Sequence, residues 1–195
     1  MNLLLEGIGS MLQPCTLALL VPGLAVILTA QQTAPWAAGG YLAGASLMSW
    51  MRMIDWVDPP DESALLALVV LAGIALIWWQ SNQRNGVWSA AGATVVGGIA
   101  ALLWLPCVGD EYGALLGRAE TETWALFVPN LAYIVGLNLA LIVAAALPLV
   151  VRRLVPLRDS TGAALVGVLT GSAMAVTMAL GAYNDVVGQL YDLSV

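Results

Sequence analysis

Six apolar stretches joined by short polar connections limit, more than any other feature, what this chain can fold into. They cover roughly residues 7–30, 36–54, 63–80, 88–117, 124–150 and 161–182. Each is close to or above the ~20 residues that a helix needs to cross a bilayer. Of the 195 residues, 61% are hydrophobic and 9% are charged, which is more apolar surface than a soluble domain can bury. The sequence therefore predicts an all-α polytopic membrane protein, with one transmembrane domain over residues 1–195 in contact with membrane lipid.

A duplication divides the chain into two halves, residues 1–83 and 84–195. Gln13-Pro14-Cys15 recurs 92 positions later as Leu105-Pro106-Cys107, and Tyr41-Leu-Ala-Gly44 recurs at the same offset as Tyr133-Ile-Val-Gly136. A fixed offset across separate apolar segments indicates an internal repeat. Because each half holds three predicted spans, the second half must enter the membrane from the opposite side. This predicts two inverted three-helix repeats with a working site near the membrane midplane.

The arginines predict the orientation of the six spans. The positive-inside rule counts basic residues, and four of the six arginines fall on one side. The loops at 82–87 and 152–159, which hold Arg84, Arg152, Arg153 and Arg158, are therefore expected in the cytoplasm, and Arg52 and Arg118 outside. Both termini are then expected outside.

Composition also excludes several kinds of site and partner. The chain has no histidine and only two cysteines, which argues against histidine-based acid–base catalysis, histidine-ligated haem and a zinc site. We therefore expect no cofactor and no metal. The formal net charge of −6 argues against a nucleic-acid partner, which requires a basic surface.

Both cysteines directly follow a proline within a predicted span. Because proline removes a backbone hydrogen bond and clashes with the preceding turn, helices 1 and 4 are expected to be broken, at Pro14 and Pro22 and at Pro106. A cysteine after such a break can lie at the N-terminus of a half-helix, where the helix dipole favours the reactive thiolate. A lone cysteine in an apolar helix is usually a small buried hydrophobe. Two cysteines at matching repeat positions favour instead a functional thiol pair, Cys15 and Cys107.

The two segments Gly9-Ser-Met-Leu-Gln-Pro-Cys-Thr-Leu17 and Trp104-Leu-Pro-Cys-Val-Gly109 resemble the CcdA/DsbD family of transmembrane thiol–disulfide carriers, also in span count and repeat plan. The resemblance implies that Cys15 and Cys107 form a reversible intramembrane disulfide. It further implies that cytoplasmic thioredoxin supplies the electrons and that an external thioredoxin-like protein accepts them, as in cytochrome c maturation. The expected location is the inner or plasma membrane of a prokaryote.

Two departures from the family pattern leave other functions open. Ala18 stands where the family has a further proline, and Asp110-Glu111 follow Val108-Gly109 where the family continues with proline and apolar residues. One alternative is a redox-silent accessory subunit of a larger membrane complex. The other is an exporter of small solutes or ions built on the same inverted-repeat fold.

Asp110 and Glu111 themselves have two interpretations. They either begin an acidic external loop, or lie on the outward half-helix of span 4, where an acid near Cys107 could move protons or contact a partner. Of the two acids, Asp110 is the better functional candidate because it is closer to Cys107.

Other small and polar residues within the predicted spans are expected to pack helices together. The spacing Gly40-x-x-x-Gly44 is typical of close helix contacts, and Asn138 and Thr170 favour interhelical hydrogen bonds over lining a pathway. Met174 and Met178, one turn apart, are expected to fill the core.

Overall fold

A computed structural model describes residues 4–5, 8, 17–53, 56–57, 64–83, 85–103, 128–129, 131–133, 135–136, 138–139, 142, 160–183, 185–186 and 189. In this part of the chain every regular element is helical. The elements are α1 (Leu17–Ala30), a 3-10 turn (Gln31–Thr33), α2 (Ala34–Met53), α3 (Ala64–Gln80), α4 (Val87–Leu103) and α5 (Ser160–Ala179). Further helical residues occur between 128 and 142 and between 183 and 189. The predicted all-α class is confirmed for the described residues.

Two helical stretches are long and apolar enough to cross a membrane, by length and composition. They are Ala18–Arg52, which includes the 3-10 turn, and Thr161–Ala179. The first stretch folds back on itself at Gln31, whose φ of 45° lies in the left-handed region. As a result, the ring of Tyr41 on α2 lies beside Gly23 on α1. The apolar helices α3 and α4 have 17 residues each, or about 26 Å at 1.5 Å per residue.

Many large apolar side chains lie on the outside of the helices, while the buried faces combine large and small residues. On α3, Ala67 and Gly73 are buried, whereas Leu65, Leu68 and Trp79 are 70%, 62% and 66% exposed. A soluble protein has little reason to expose so many large side chains, but lipid solvates them well. Small residues at helix interfaces are the usual means of bringing membrane helices together. Exposed large apolar side chains around small buried residues are typical of helices in lipid.

The closest helix contact joins α2 to α4 and consists largely of backbone against backbone. A Cβ atom added at Gly40 would collide with the Ala90 carbonyl, and one added at Gly44 with the Thr94 carbonyl. From the other side, a Cβ at Gly97 would collide with the Tyr41 carbonyl. We call these three residues, Gly40, Gly44 and Gly97, the glycine seam. Thr33, just before α2, lies against Ser89 near the start of α4, and Arg52 near the end of α2 donates to the Ala101 carbonyl near the end of α4. The two helices are therefore parallel.

α1 and α5 pack in opposite directions. Near the end of α1, Thr29 lies against Gly167, while near its start Ala18 lies against Tyr183, which follows α5. α5 also packs on α3, where Gly171 lies beside Ile74.

Hydrogen bonds join the turn between α1 and α2 to the connection between α3 and α4. Thr33 Oγ1 donates to Ser89 Oγ at 3.0 Å, and the Gln32 backbone N–H donates to the Ser81 carbonyl at 3.3 Å. Thr33, Ser81 and Ser89 are buried. The turn between α1 and α2 and the connection between α3 and α4 therefore lie at the same end of the helices.

Candidate functional site

The residues predicted to carry the redox chemistry lie outside the described part of the chain. This applies to Cys15 and Cys107, to Pro14 and Pro106, and to Asp110 and Glu111. The described residues closest to the two Pro-Cys motifs are the start of α1 and the end of α4.

α1 begins two residues after Cys15, and α4 ends four residues before Cys107. The residues at these two helix ends are buried. Leu19 is 0% exposed and Leu103 is 3% exposed. α1 and α4 also pack against each other. The helices next to the two Pro-Cys motifs therefore belong to one core.

The expected break at Pro22 is wrong. α1 runs without interruption from Leu17 to Ala30, with Pro22 inside it. The missing proline N–H leaves the Ala18 carbonyl without its partner from the next turn. Tyr183 Oη donates to that carbonyl at 3.3 Å, so a side chain from another helix replaces the lost bond. The helix tolerates its proline because the freed backbone group is satisfied by its neighbours.

A second tyrosine binds the adjacent carbonyl of the same turn. Tyr41 Oη donates to the Leu19 carbonyl at 2.6 Å, and its side chain is buried. Gly23 makes this possible, since a Cβ atom there would lie 2.9 Å from Tyr41 Cε1. Pro22 thus leaves the Ala18 carbonyl without its helical partner. Gly23 leaves room for the Tyr41 ring, whose hydroxyl binds the next carbonyl, that of Leu19. We call this group the Pro22 cluster; its members are Ala18, Leu19, Pro22, Gly23, Tyr41 and Tyr183.

A hydrogen bond links two residues at matching positions of the sequence repeat. The hydroxyl of Ser46 on α2 lies within hydrogen-bonding distance of both the Leu42 carbonyl of its own helix and Asn138 Oδ1, which belongs to a residue 92 positions away. Cys15 and Cys107 are separated by the same number of residues. In an object with two-fold symmetry, equivalent points touch only at the axis. The Ser46–Asn138 contact is therefore what a two-fold axis between the halves would produce.

The other expectations for small, polar and sulfur-containing residues have mixed outcomes. The packing role of Gly40 and Gly44 is confirmed by the glycine seam, and that of Asn138 by its interhelical bond. Thr170 behaves differently: it is partly buried and donates to the Val166 carbonyl of its own helix. Met174 and Met178 are 8% and 0% exposed, so their place in the core is confirmed.

Sequence reasoning missed the two tyrosines of the Pro22 cluster. Tyr41 was visible in the sequence only as part of the repeated Tyr-x-x-Gly pattern, with Tyr133 as its partner. A proline within a span leaves one backbone carbonyl without its helical N–H donor. A tyrosine hydroxyl from a neighbouring span is one of the few side-chain groups that can donate to this carbonyl. Tyr183 had no such signal, because it is distant in sequence from the other members.

Within the described residues, no three acidic, cysteine or histidine side chains lie close enough together to hold a metal ion. Three features characterise this part of the chain: the glycine seam between α2 and α4, the Pro22 cluster, and the contact between Ser46 and Asn138. No protein-family model, curated protein or solved structure matches the chain.

Proposed function

We propose that the protein carries reducing equivalents across a prokaryotic cell membrane by reversible thiol–disulfide exchange at Cys15 and Cys107. The donor is cytoplasmic thioredoxin and the acceptor is a thioredoxin-like protein outside. In this proposal the chain crosses the membrane six times as two inverted repeats, with both termini outside.

The observation that carries the proposal is the Ser46–Asn138 hydrogen bond. It supports a two-fold relation between residues 92 positions apart, with Ser46 and Asn138 near the axis. In this proposal, Cys15 and Cys107 lie near the same axis. Cys15 and Cys107 have the same separation and are the only two thiols of the chain. In an inverted repeat this axis lies in the membrane plane, so a pair on the axis is equally far from both faces.

The described helix ends provide further support. α1 and α4 lead from buried residues toward the two Pro-Cys motifs and pack in one core. A disulfide requires Cα atoms no more than about 7 Å apart. Two helices in contact meet this requirement more readily than helices separated by a third.

The transfer proceeds through two exchange reactions. A thiolate of reduced thioredoxin attacks one sulfur of the Cys15–Cys107 disulfide, and the other cysteine leaves as a thiolate that takes up a proton. The second thioredoxin thiol then attacks the mixed disulfide and releases oxidised thioredoxin. The pair has now gained two electrons and two protons, which it passes to an external disulfide by the reverse reactions.

Redox potentials alone can drive this transfer. Thioredoxin lies near −270 mV, and ~30 mV is worth ~1.4 kcal/mol for two electrons. An external acceptor ~100 mV higher therefore makes the transfer favourable by ~5 kcal/mol, without ATP.

The test is thiol trapping of the purified protein in lipid nanodiscs. Reduced thioredoxin is expected to convert the oxidised protein to a form that reacts with two equivalents of maleimide. The oxidised wild-type protein should instead accumulate a mixed disulfide with a thioredoxin that lacks its second cysteine, because that thioredoxin has no second thiol to resolve it. A Cys15→Ser or Cys107→Ser variant has no disulfide for the thioredoxin thiolate to attack and should form no such adduct.

The double variant Cys15→Ser/Cys107→Ser is the control, since it can form neither product. If thioredoxin leaves the maleimide count of the oxidised wild-type protein unchanged, the carrier function is refuted. A protein that never forms the disulfide under oxidation would favour a redox-silent subunit.

A further inference from the structure

Buried polar side chains gather at one end of the described helices, where the turn between α1 and α2 meets the connection between α3 and α4. Six polar side chains are buried in the described part of the chain. Five of them lie at this end: Thr29, Thr33, Gln80, Ser81 and Ser89. The sixth, Ser49, lies near the other end of α2. Burying polar groups costs free energy unless they find hydrogen-bond partners.

Gln80, the last residue of α3, has an acceptor that lacks a donor. Its side chain is 3% exposed, and its Oε1 atom accepts no hydrogen bond from any described residue. A buried acceptor in this condition is costly, and native proteins nearly always supply a donor from the protein or from an ordered water molecule. Gln80 thus marks a position where a hydrogen-bond donor is needed.

Gln80 faces Ser89 across the contact between α3 and α4. Because the connection between these helices lies at this end, they are antiparallel. A Cβ atom added at Gly92 of α4 would lie 3.2 Å from Ile77 Cγ1 of α3, so these two positions face each other. Gln80 lies three residues after Ile77, Ser89 lies three residues before Gly92, and residues three apart share a helix face. Gln80 and Ser89 are therefore the next facing positions along the contact.

The Ser89 hydroxyl can take part in a further hydrogen bond. Its contact with Thr33 Oγ1, at 3.0 Å, leaves it capacity, since a hydroxyl can donate once and accept twice. The backbone beside it is held in place, because the Gln32 N–H donates to the Ser81 carbonyl. Gln31 keeps a left-handed φ of 45°, which a residue other than glycine holds only where its surroundings fix it. The polar groups at this end thus belong to a fixed part of the fold.

We propose that one ordered water molecule binds between α3 and α4, donating to Gln80 Oε1 and forming a second hydrogen bond with Ser89 Oγ. Water fits these groups, since both are neutral and buried waters typically bond polar groups that otherwise lack a partner. A divalent cation favours carboxylate oxygens, which neither residue offers. A monovalent cation would bring an uncompensated charge into a buried site.

The water makes Gln80 and Ser89 dependent on each other. Each holds the molecule through one hydrogen bond, so loss of either partner weakens the bond to the other. The site does not involve the thiol pair. It can therefore be tested in the Cys15→Ser/Cys107→Ser variant, and its outcome is independent of the carrier function.

A crystal structure of the protein in a lipidic mesophase tests the site directly. We expect a water peak about 2.8 Å from both Gln80 Oε1 and Ser89 Oγ. A direct hydrogen bond between the two side chains, or a contact without water, would overturn the proposal. Crystals grown in rubidium chloride separate water from a cation, because rubidium scatters anomalously, and an anomalous peak at this position would overturn it as well.

A double-mutant cycle of unfolding in mixed micelles tests the shared water in solution. The unfolding equilibrium constant of Gln80→Met/Ser89→Ala should be about threefold lower than the product of the two single effects gives, which is the usual size of an interhelical hydrogen bond in a membrane. The result should be the same in sodium chloride and in choline chloride. Stability that rises with sodium and loses this rise in Gln80→Met would indicate a cation site and refute the water.

Gln83→Met is the matched control. It makes the same chemical change three residues later, where the side chain is exposed. Its effect and that of Ser89→Ala should simply multiply. Independent effects of Gln80→Met and Ser89→Ala, or an equally large coupling for Gln83→Met, would show that Gln80 and Ser89 share no ligand. If Ser89→Ala does not fold, the crystal structure of the chain with Ser89 intact still decides the question.

Discussion

The glycine seam between α2 and α4 has no room for one added methyl group at Gly44. A Cβ atom at this position would collide with the carbonyl of Thr94, a backbone group that cannot turn away as a side chain can. Gly39, on the same helix, is exposed, and no described atom lies within 4 Å of the Cβ atom it would gain. Gly44→Ala and Gly39→Ala are therefore the same chemical change on the same helix, with and without a steric conflict.

The expected magnitude follows from comparing the two variants. Both gain the helix propensity of alanine over glycine, ~0.9 kcal/mol. Only Gly44→Ala also forces the helices apart, by about 1 Å, and overpacking of this kind typically costs ~1–3 kcal/mol. Because backbone atoms meet on both sides, we expect the upper end of that range. The free energy of unfolding should thus fall by ~2 kcal/mol for Gly44→Ala and rise by up to ~0.9 kcal/mol for Gly39→Ala.

The assay is reversible unfolding of the purified protein in mixed micelles with increasing SDS, followed by tryptophan fluorescence and far-ultraviolet circular dichroism. The difference between the two variants isolates the overpacking cost, since the propensity gain cancels. If Gly44→Ala is as stable as Gly39→Ala within ~0.5 kcal/mol, the close approach of α2 and α4 is refuted.

Three further predictions test the other contacts. Gly167→Ala should be ~1–3 kcal/mol less stable than Gly162→Ala, since both gain the helix propensity of alanine but only the Cβ atom at position 167 would meet the Ala25 carbonyl, at 2.6 Å. Equal stabilities would contradict the α1–α5 packing. Ser46→Ala and Asn138→Ala should show a coupling energy of ~0.6 kcal/mol in a double-mutant cycle of unfolding, and additive effects would rule out the bond between the halves. Asn85→Cys in a cysteine-free background should react with impermeant maleimide only after the cells are opened; labelling of intact cells would reverse the proposed orientation.

The sequence predicted much of the fold, because the physics that decides it is local. Long apolar runs must be helical in lipid, where every backbone group needs an internal partner. Small residues such as Gly40 and Gly44 predicted close helix contacts for the same reason, since packing in lipid depends on how closely backbones approach. The spacing did not identify which helix would form the other side of the contact. That choice depends on tertiary packing, and α4 contributes Gly97 to it.

The candidate site was less predictable, as Pro22 illustrates. The rule that proline breaks a helix assumes that the freed carbonyl finds no other donor. Here Tyr183 supplies one from 165 positions away. No local pattern contains that information. For Asn138, the sequence indicated an interhelical bond but not its partner, Ser46, because that choice depends on how the helices pack.

The glycine seam has a mechanical consequence. α2 lies in the first of the two predicted repeats and α4 in the second, and the backbones of these two helices are in contact at each of the three seam glycines. No side chain there can change rotamer to let one helix slide past the other, so the two helices move as one rigid body. In the proposed carrier, a change that opens the protein first to one face and then to the other therefore leaves the pairing of α2 with α4 intact. This rigid pair joins helices on either side of the predicted repeat boundary at residues 83 and 84, so rigid units and predicted repeats do not coincide.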